Sequence, residues 1–177
     1  MKNRTKTMAQ AALCTALLCL LAQVTIPMPS GVPITLQTFA VALAGYCQDA
    51  KRASISVVGY LLLGLVGLPV FSAMQGGIGV FAGPTGGFLI GFVPFAALCA
   101  LAAAAPRVGW TILLSLAGLL CCHAFGTVWF SAVARASFGK AFLLASAPYL
   151  IKDVISVFAA YLLSRAILKA LARSQRA

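Results

Sequence analysis

Two neighbouring ionisable residues, Lys152 and Asp153, lie inside the last strongly apolar stretch of the chain. At membrane depth each charge costs ~2.5–3.5 kcal/mol, so such residues normally face a bundle interior and a partner or ligand. We therefore predict that Asp153, and with it Lys152, contacts a polar ligand. The alternatives are mutual neutralisation of the pair and snorkelling of Lys152 to the membrane surface. Adjacent helical side chains diverge by about 100°, so the two are not expected to face each other.

A long uncharged loop, 69–84, contains the second group of candidate residues. Six glycines fall within residues 76–87, and glycine allows positive φ and close approach of the backbone to a ligand. The loop also contains apolar side chains, so it can fold as a lid over an apolar cavity. A tight re-entrant turn whose glycines serve only packing explains the pattern equally well. A nucleotide-binding loop is excluded, because there is no Walker lysine, flanking strand or ribose-binding acid.

A third group, Thr35, Gln37 and Thr38, opens the second apolar run. These side chains can contact a ligand, or they can serve as caps and interhelix hydrogen bonds. His123 has no acid or second histidine nearby in sequence, which favours a hydrogen-bonded packing residue over a proton relay or metal ligand. Two acids and one histidine in the whole chain are too few for metal or acid–base catalysis, so no enzyme, metal or cofactor is predicted.

The composition places these groups in a membrane. Hydrophobic residues make up 62% of the 177 and charged residues 8%, whereas a soluble domain has about 25% charged residues. The excess of thirteen basic residues over two acids would be compatible with nucleic-acid binding. The basic residues, however, form no patch interleaved with exposed aromatics, as such binding requires. The six cysteines lie in or at the ends of apolar runs without a CxxC pair, which favours packing over metal binding or disulfides.

Apolar runs and their breakers predict an all-α membrane protein with one domain and six transmembrane helices. The opening run lacks a convincing cleavage site, so it is predicted to be a retained helix and not a signal peptide. Pro148 can start or kink the last helix, which leaves its first boundary open. The predicted spans are 8–25, 34–47, 53–68, 85–105, 110–130 and 142–163.

The basic residues predict the orientation through the positive-inside rule. With both termini in the cytoplasm, ten of them fall on the inside, and only Arg135 and Lys140 fall in an outside loop. Asp153 precedes Arg165, at the cytoplasmic end of the last span, by 12 residues, or about 18 Å of helix. Asp153 is therefore expected in the outer leaflet, within reach of loops 26–33 and 69–84.

The first predicted span has small residues, Ala9, Ala12 and Ala16, at helical spacing. Small residues four apart give a smooth face on which another helix can pack closely. The pattern is weak by itself because alanine is frequent throughout the chain.

Three stretches resemble the BioY family of biotin-specific substrate-binding (S) components of energy-coupling-factor (ECF) transporters. They are IPMPSGVPITLQTFAVALAG at 26–45, LLLGLVGLPVF at 61–71 and GGIGVFAGPTGGFLIGF at 76–92, and the acid at Asp153 also matches. The resemblance implies a six-helix fold in the bacterial plasma membrane and high-affinity capture of biotin from outside. It further implies that the first helix docks on a transmembrane coupling subunit joined to two cytoplasmic ATPases, which hydrolyse ATP.

The chain departs from the family pattern in its last helix. A lysine often follows the acid by three positions in this family, whereas Ser156 stands there and Lys152 precedes the acid. The cation that binds the carboxylate of biotin is therefore expected to be either Lys152 or Arg135.

The chemistry of biotin gives each candidate a hypothetical role. Asp153 accepts an N–H of the ureido ring, a charge-assisted hydrogen bond, and Gln37 or Gln75 donates to the ureido carbonyl. Phe39, Phe71, Phe81 and Phe88 are candidates for the apolar wall. The predicted substrate-binding residues are Asp153, Lys152, Gln37, Thr35, Gln75, Gly76, Gly77, Thr85, Phe71 and Phe88. The alternatives are an S component for another small vitamin, a membrane-embedded enzyme and a passive pore.

Overall fold

A computed structural model describes residues 2–174, most of which are helical. The N-terminal helix α1 is followed by a short antiparallel hairpin, in which Thr25 pairs with Thr35 and Ile26 with Ile34. The described elements, in chain order, are α1 Lys2–Ala22, β1 Thr25–Ile26, β2 Ile34–Thr35, α2 Gln37–Cys47, α3 Ala50–Leu65, α4 Ile78–Ala82, α5 Gly86–Ala103, α6 Val108–Val133, α7 Phe138–Ala145 and α8 Ala147–Ser174.

Helix α2 begins later than predicted. The predicted start at residue 34 falls in β2, because Ile34 and Thr35 pair with the segment that follows α1. Nine of the eleven residues of α2 are buried. Such a helix, apolar on all sides, belongs in the interior of a bundle, and α2 packs against both α5 and α8.

The predicted sixth helix, 142–163, is wrong as a continuous element. Helix α7 ends at Ala145, and α8 begins at Ala147 and continues to Ser174. Pro148 cannot donate a backbone hydrogen bond, which suits the first turn of a new helix and disfavours the interior of an old one. At the junction, the Ser146 and Thr127 hydroxyls are 2.7 Å apart and hydrogen-bonded, which fixes the break against α6.

By length and composition, three described helices can each cross a membrane: α5, α6 and α8. Helix α1 adds a shorter apolar stretch, Thr7–Ala22. Helices α2 and α3, of 11 and 16 residues, fall short of the ~20 residues of a full crossing.

Helices α5 and α6 form the most extensive helix pair. Gly87 on α5 allows their close approach, since a Cβ there would lie 2.3 Å from Trp129 Cβ and 2.4 Å from the Phe125 carbonyl oxygen. Helices α2 and α8 pack against each other and against this pair, and the four helices enclose a cavity.

Candidate functional site

A cavity lies within the bundle at the end where α2 and α8 begin. The space amounts to about 610 Å³ with its opening included. Helices α2, α5, α6 and α8 supply most of the wall, and the segments around β2, the loop before α5 and the last residue of α7 supply the rest. The lining residues are Val32, Pro33, Thr35, Gln37, Thr38, Ser72, Val80, Thr85, Phe88, Leu89, Phe92, Leu119, Cys122, His123, Ala145, Tyr149, Lys152 and Asp153.

Asp153 is the buried acid of this cavity, with 5% of its surface exposed. Lys152 Nζ forms an ion pair with Asp153 Oδ1 and donates to the Thr35 carbonyl oxygen at 3.0 Å. The expectation that these neighbours do not meet is therefore wrong. The flexible four-carbon stem of lysine bends back across the helix, so the pair is neutralised internally and Lys152 does not extend to the membrane surface.

His123 joins α6 to the same carboxylate. Its Nε2 lies 3.1 Å from Asp153 Oδ2, and a carboxylate oxygen only accepts, so Nε2 donates. Nδ1 is buried and has no hydrogen-bond partner among the described residues. Phe88 packs edge-on against the imidazole at 5.8 Å between ring centres. His123 is thus the hydrogen-bonded residue that its sequence position favoured, and it also lines the cavity.

Thr35 and Gln37 form a hydrogen-bonded chain that ends on α3. Thr35 Oγ1 donates to Gln37 Oε1 at 2.9 Å, and Gln37 Nε2 donates to the Tyr60 hydroxyl at 2.6 Å. One of the two amide N–H groups of Gln37 is therefore used within the protein, which leaves one for a ligand. The interhelix hydrogen bond that the sequence left open is thus present, and both side chains also line the cavity, where their contact with a ligand stays a prediction.

The loop between α3 and α5 lies at the mouth of the cavity, where Ser72 and Val80 line both the cavity and the space outside it. Phe71 anchors it: this side chain is 1% exposed and packs edge-on against Tyr60 and Phe81, with ring centres 5.3 and 5.6 Å apart. Gly64 makes room for the ring, because a Cβ there would lie 2.0 Å from Phe71 Cζ. We call residues 66–84 the cover loop.

Gln23, just beyond α1, holds the cover loop from the side. Its Oε1 accepts from the Met74 backbone N–H at 3.0 Å, and its Nε2 donates to the Pro69 carbonyl oxygen at 3.5 Å. Ala73 and Met74 adopt positive φ angles of 56° and 57°, a conformation uncommon for residues other than glycine. Phe71 and Gln23 thus hold the loop at two points, and the turn at Ala73 and Met74 is strained.

A wider vestibule lies outside the cavity. It has a space of about 1140 Å³, including open solvent, and shares four lining residues with the cavity: Pro33, Ser72, Val80 and Thr85. Gln75 and Gly76 line this vestibule and not the cavity.

The structure brings most of the predicted site residues together. Those that line the cavity are Asp153, Lys152, Gln37, Thr35, Thr85 and Phe88. Gln75 and Gly76 lie at the mouth, whereas Gly77 and Phe71 line neither space. Arg135 is exposed in the turn after α6 and is not among the lining residues, so Lys152 is the cation of this cavity.

Tyr149 is a cavity residue that sequence reasoning missed. Its hydroxyl donates to the Val32 carbonyl oxygen and lies 3.0 Å from Ser30 Oγ. The signal was present, because Tyr149 precedes Asp153 by four residues and so shares its helix face. Within residues 2–174, no cluster of three potential metal-binding side chains occurs.

Ala9, Ala12 and Ala16 lie on the outside of α1, where all three are exposed. Helix α1 is held to α3 by another face, through Thr15 Oγ1, which donates to the Ser56 carbonyl oxygen at 2.9 Å. Within the described chain, the alanine face is therefore left open to a partner.

Residues 1–173 match the BioY family over nearly the whole chain. The chain belongs to the BioY family. Its membership confirms the resemblance that the three sequence stretches indicated, and with the apolar helices it makes the chain a multi-pass membrane protein. The BioY family consists of transporter components, so the prediction that the chain is not an enzyme is confirmed.

Two relatives illustrate the match. The chain is 35% identical over 161 residues to the probable biotin transporter BioY of Pyrococcus horikoshii, covering 91% of this chain and 95% of that protein. It is 30% identical over 176 residues to the biotin transporter BioY2 of Lactococcus lactis subsp. cremoris, covering 93% and 91%.

A solved structure has the same fold. It is the crystal structure at 2.1 Å of the S-component for biotin from an ECF-type ABC transporter, with a TM-score of 0.84 and 26% identity. The similarity covers 95% of this chain and 93% of the other.

Proposed function

We propose that the chain binds biotin at high affinity and takes it across the bacterial plasma membrane as the S component of an ECF-type ABC transporter. One observation carries the proposal: a BioY-family chain places its only buried carboxylate, Asp153, on the wall of a cavity beneath a cover loop. Biotin is small, largely apolar and polar at both ends, which suits such a cavity with a few fixed polar groups.

The proposed topology has six crossings and both termini in the cytoplasm. Helices α1, α2, α3, α5, α6 and α8 are the crossings, and the hairpin, the cover loop and α7 are on the outside. The distribution of basic residues supports this arrangement. The short helices α2 and α3 complete their crossings with the hairpin and the cover loop, where buried or cavity-lining backbone is tolerated at membrane depth.

The polar groups of the cavity suit the two ends of biotin. Asp153 accepts a ureido N–H with one of its lone pairs, while His123 fixes the orientation of the carboxylate. Lys152 Nζ has three donors, of which Thr35 and Asp153 engage two. The third is free to bind the carboxylate of biotin, and the spare amide N–H of Gln37 to meet the ureido oxygen.

ATP hydrolysis belongs to partner subunits in this proposal. The exposed alanine face of α1 receives a transmembrane coupling subunit, because small side chains let a second helix approach closely. Two cytoplasmic ATPases complete the assembly.

The test is binding of labelled biotin to the chain in membranes. Asp153→Asn removes a charged acceptor, worth about 1.5–3 kcal/mol, so the affinity is expected to fall about 10- to 140-fold. The matched control is Asp49→Asn at the exposed acid, which leaves affinity unchanged. Unchanged affinity of the Asp153 variant, or displacement of biotin by thiamine or riboflavin as effectively as by desthiobiotin, contradicts the proposal.

Lys152 is tested with a neutral ligand. The wild type is expected to prefer biotin to its amide, and Lys152→Gln to bind both alike, because the charge that distinguishes them is gone. If the variant keeps the preference, another cation binds the carboxylate.

A further inference from the structure

An apolar groove runs between α6 and α8 at the end of the bundle away from the cavity. Its space amounts to about 740 Å³ with its open side included. The walls are exposed apolar side chains, and the floor is formed by buried residues that include Tyr46. The lining residues are Tyr46, Val108, Thr111, Ile112, Ser115, Leu116, Val154, Val157, Phe158 and Tyr161.

The polar atoms of the floor are satisfied within the protein. The Tyr46 hydroxyl donates to Ser115 Oγ at 2.7 Å, and Ser115 Oγ donates to the Thr111 carbonyl oxygen at 2.7 Å. Tyr161 packs edge-on against Tyr46 at 5.5 Å between ring centres. Because the Tyr46, Ser115 and Thr111 hydroxyls are already hydrogen-bonded within the protein, the floor suits a hydrocarbon chain better than a polar ligand.

The length of the groove matches one leaflet of a bilayer. From Val108 to Leu116 the wall extends over eight residue steps of α6, or about 12 Å. The hydrocarbon core of a membrane is ~30 Å thick, so one leaflet contributes about 15 Å. An acyl chain of one leaflet therefore fits along the groove.

Two arginines stand at its open end. Arg107 directly precedes Val108, and Arg165 follows Tyr161 by one turn on the same face of α8. Both are exposed, and neither has an ion pair in the described part of the chain. The two acids are engaged elsewhere, Asp49 with Arg52 and Asp153 with Lys152 and His123.

We propose that this groove binds an anionic phospholipid of the cytoplasmic leaflet, its acyl chain between α6 and α8 and its phosphate between Arg107 and Arg165. The inference rests on the orientation proposed with the function. Basic pockets between helices on the cytoplasmic side attract anionic headgroups, and guanidinium groups match phosphate geometry. The lipid fills the gap between the same two helices that His123 and Asp153 join nearer the outside.

The experiment titrates the purified, delipidated full chain with phosphatidylglycerol or phosphatidylcholine and counts bound lipid by native mass spectrometry. Phosphatidylglycerol is expected to bind more tightly. The double variant Arg107→Gln, Arg165→Gln is expected to bind it roughly thirtyfold more weakly, because each surface arginine contributes about a factor of five. The double variant Lys51→Gln, Arg173→Gln removes equal charge away from the groove and is expected to bind as the wild type does.

A second pair of variants tests the groove itself. Ile112→Trp fills the space for the acyl chain and is expected to abolish retention, whereas Leu113→Trp, an exposed neighbour outside the groove, leaves it intact. Three results would overturn the proposal. The first is an equal loss of lipid in both members of either pair of variants, and the second is equal retention of the two lipids. The third is a dimer of the chain that Ile112→Trp dissociates. Biotin binding, measured separately, does not enter these readouts, so a failure of the lipid proposal can be distinguished from a failure of the proposed function.

Discussion

Asp49 and Asp153, the two acids of the chain, have opposite surroundings. Asp153 is buried between a lysine and a histidine inside the bundle. Asp49 is exposed at the start of α3, where its side chain accepts from the Arg52 backbone N–H at 2.9 Å and pairs with the Arg52 guanidinium. Asp153 thus belongs to an interior site, and Asp49 caps helix α3.

Asp49→Ala is expected to destabilise the protein by about 1 kcal/mol, the usual cost of losing such a cap. The Arg52 backbone N–H, followed by the Arg52 side chain, holds the pKa of Asp49 below its usual 3.8. A lowered pKa means that the cap stabilises above the unfolded pKa and is lost as pH falls through the folded one. Thermal unfolding in detergent at pH 7 and pH 3 measures both effects. Asp49→Asn keeps an acceptor and is the control; equal melting temperatures of the wild type and Asp49→Ala at pH 7 contradict the prediction.

For single residues, the sequence predicted where the charged side chains lie better than it predicted what they contact. An acid inside an apolar run must have a polar neighbourhood, and Asp153 has one. The Lys152–Asp153 contact was not predicted, because helix geometry fixes the direction of Cβ and not the path of a long side chain. The bond from His123 was missed because 30 residues of intervening chain separate the partners.

Among the elements, the cover loop depends most on a single contact. Phe71 fills the space that Gly64 leaves open on α3, so the side chain of one element requires the absence of a side chain on another. Of the apolar side chains in the loop, Phe71 is the one that is fully buried, whereas Val70, Val80 and Phe81 are partly buried.

Gly64→Ala is expected to lower the melting temperature and speed biotin release, because the new methyl group expels Phe71 from its site. Overpacking of this kind costs about 1–3 kcal/mol. Gly109→Ala is the matched control, since a Cβ there has no neighbour within 4 Å. Thermal unfolding and the dissociation rate of labelled biotin are the measurements. A Gly64 variant with the wild-type release rate would mean that Phe71 does not hold the loop closed.

Two of the three long apolar helices were predicted well, whereas the ends of α8 and the junctions were predicted poorly. For α5 and α6, the predicted bounds 85–105 and 110–130 lie within three residues of the structure, because proline and charge mark their ends. The break at Ser146 depends on a bond to Thr127 on another helix, which no local pattern reveals. The start of α2 depends similarly on pairing with the segment after α1.

At the scale of the whole molecule, the free alanine face of α1 is the surface on which assembly depends in our proposal. Ala12→Trp is expected to abolish co-purification with the coupling subunit and ATPases, because a large ring prevents close helix packing. Biotin binding by the isolated chain should persist, since α1 supplies none of the cavity lining. Leu120→Trp, on the exposed side of α6, is the control. Intact complexes with the Ala12 variant would place docking elsewhere.

The overall architecture could be inferred because the membrane limits the choices to apolar helices of set length and basic loops. The shape of the cavity could not, since four helices and two irregular segments form it together. Neither the vestibule nor the groove between α6 and α8 left a sequence pattern that distinguishes it from ordinary packing.

Gln23 connects helix α1 to the cover loop through two hydrogen bonds. The side-chain amide of Gln23 joins the outer end of α1 to Met74 and Pro69 of the cover loop, so a movement of α1 is transmitted to the loop. A tilt of α1 that carries Gln23 away removes both bonds at once and frees the strained turn at Ala73 and Met74. In the assembly proposed above, a coupling subunit that tilts α1 would therefore also loosen the loop at the mouth of the cavity.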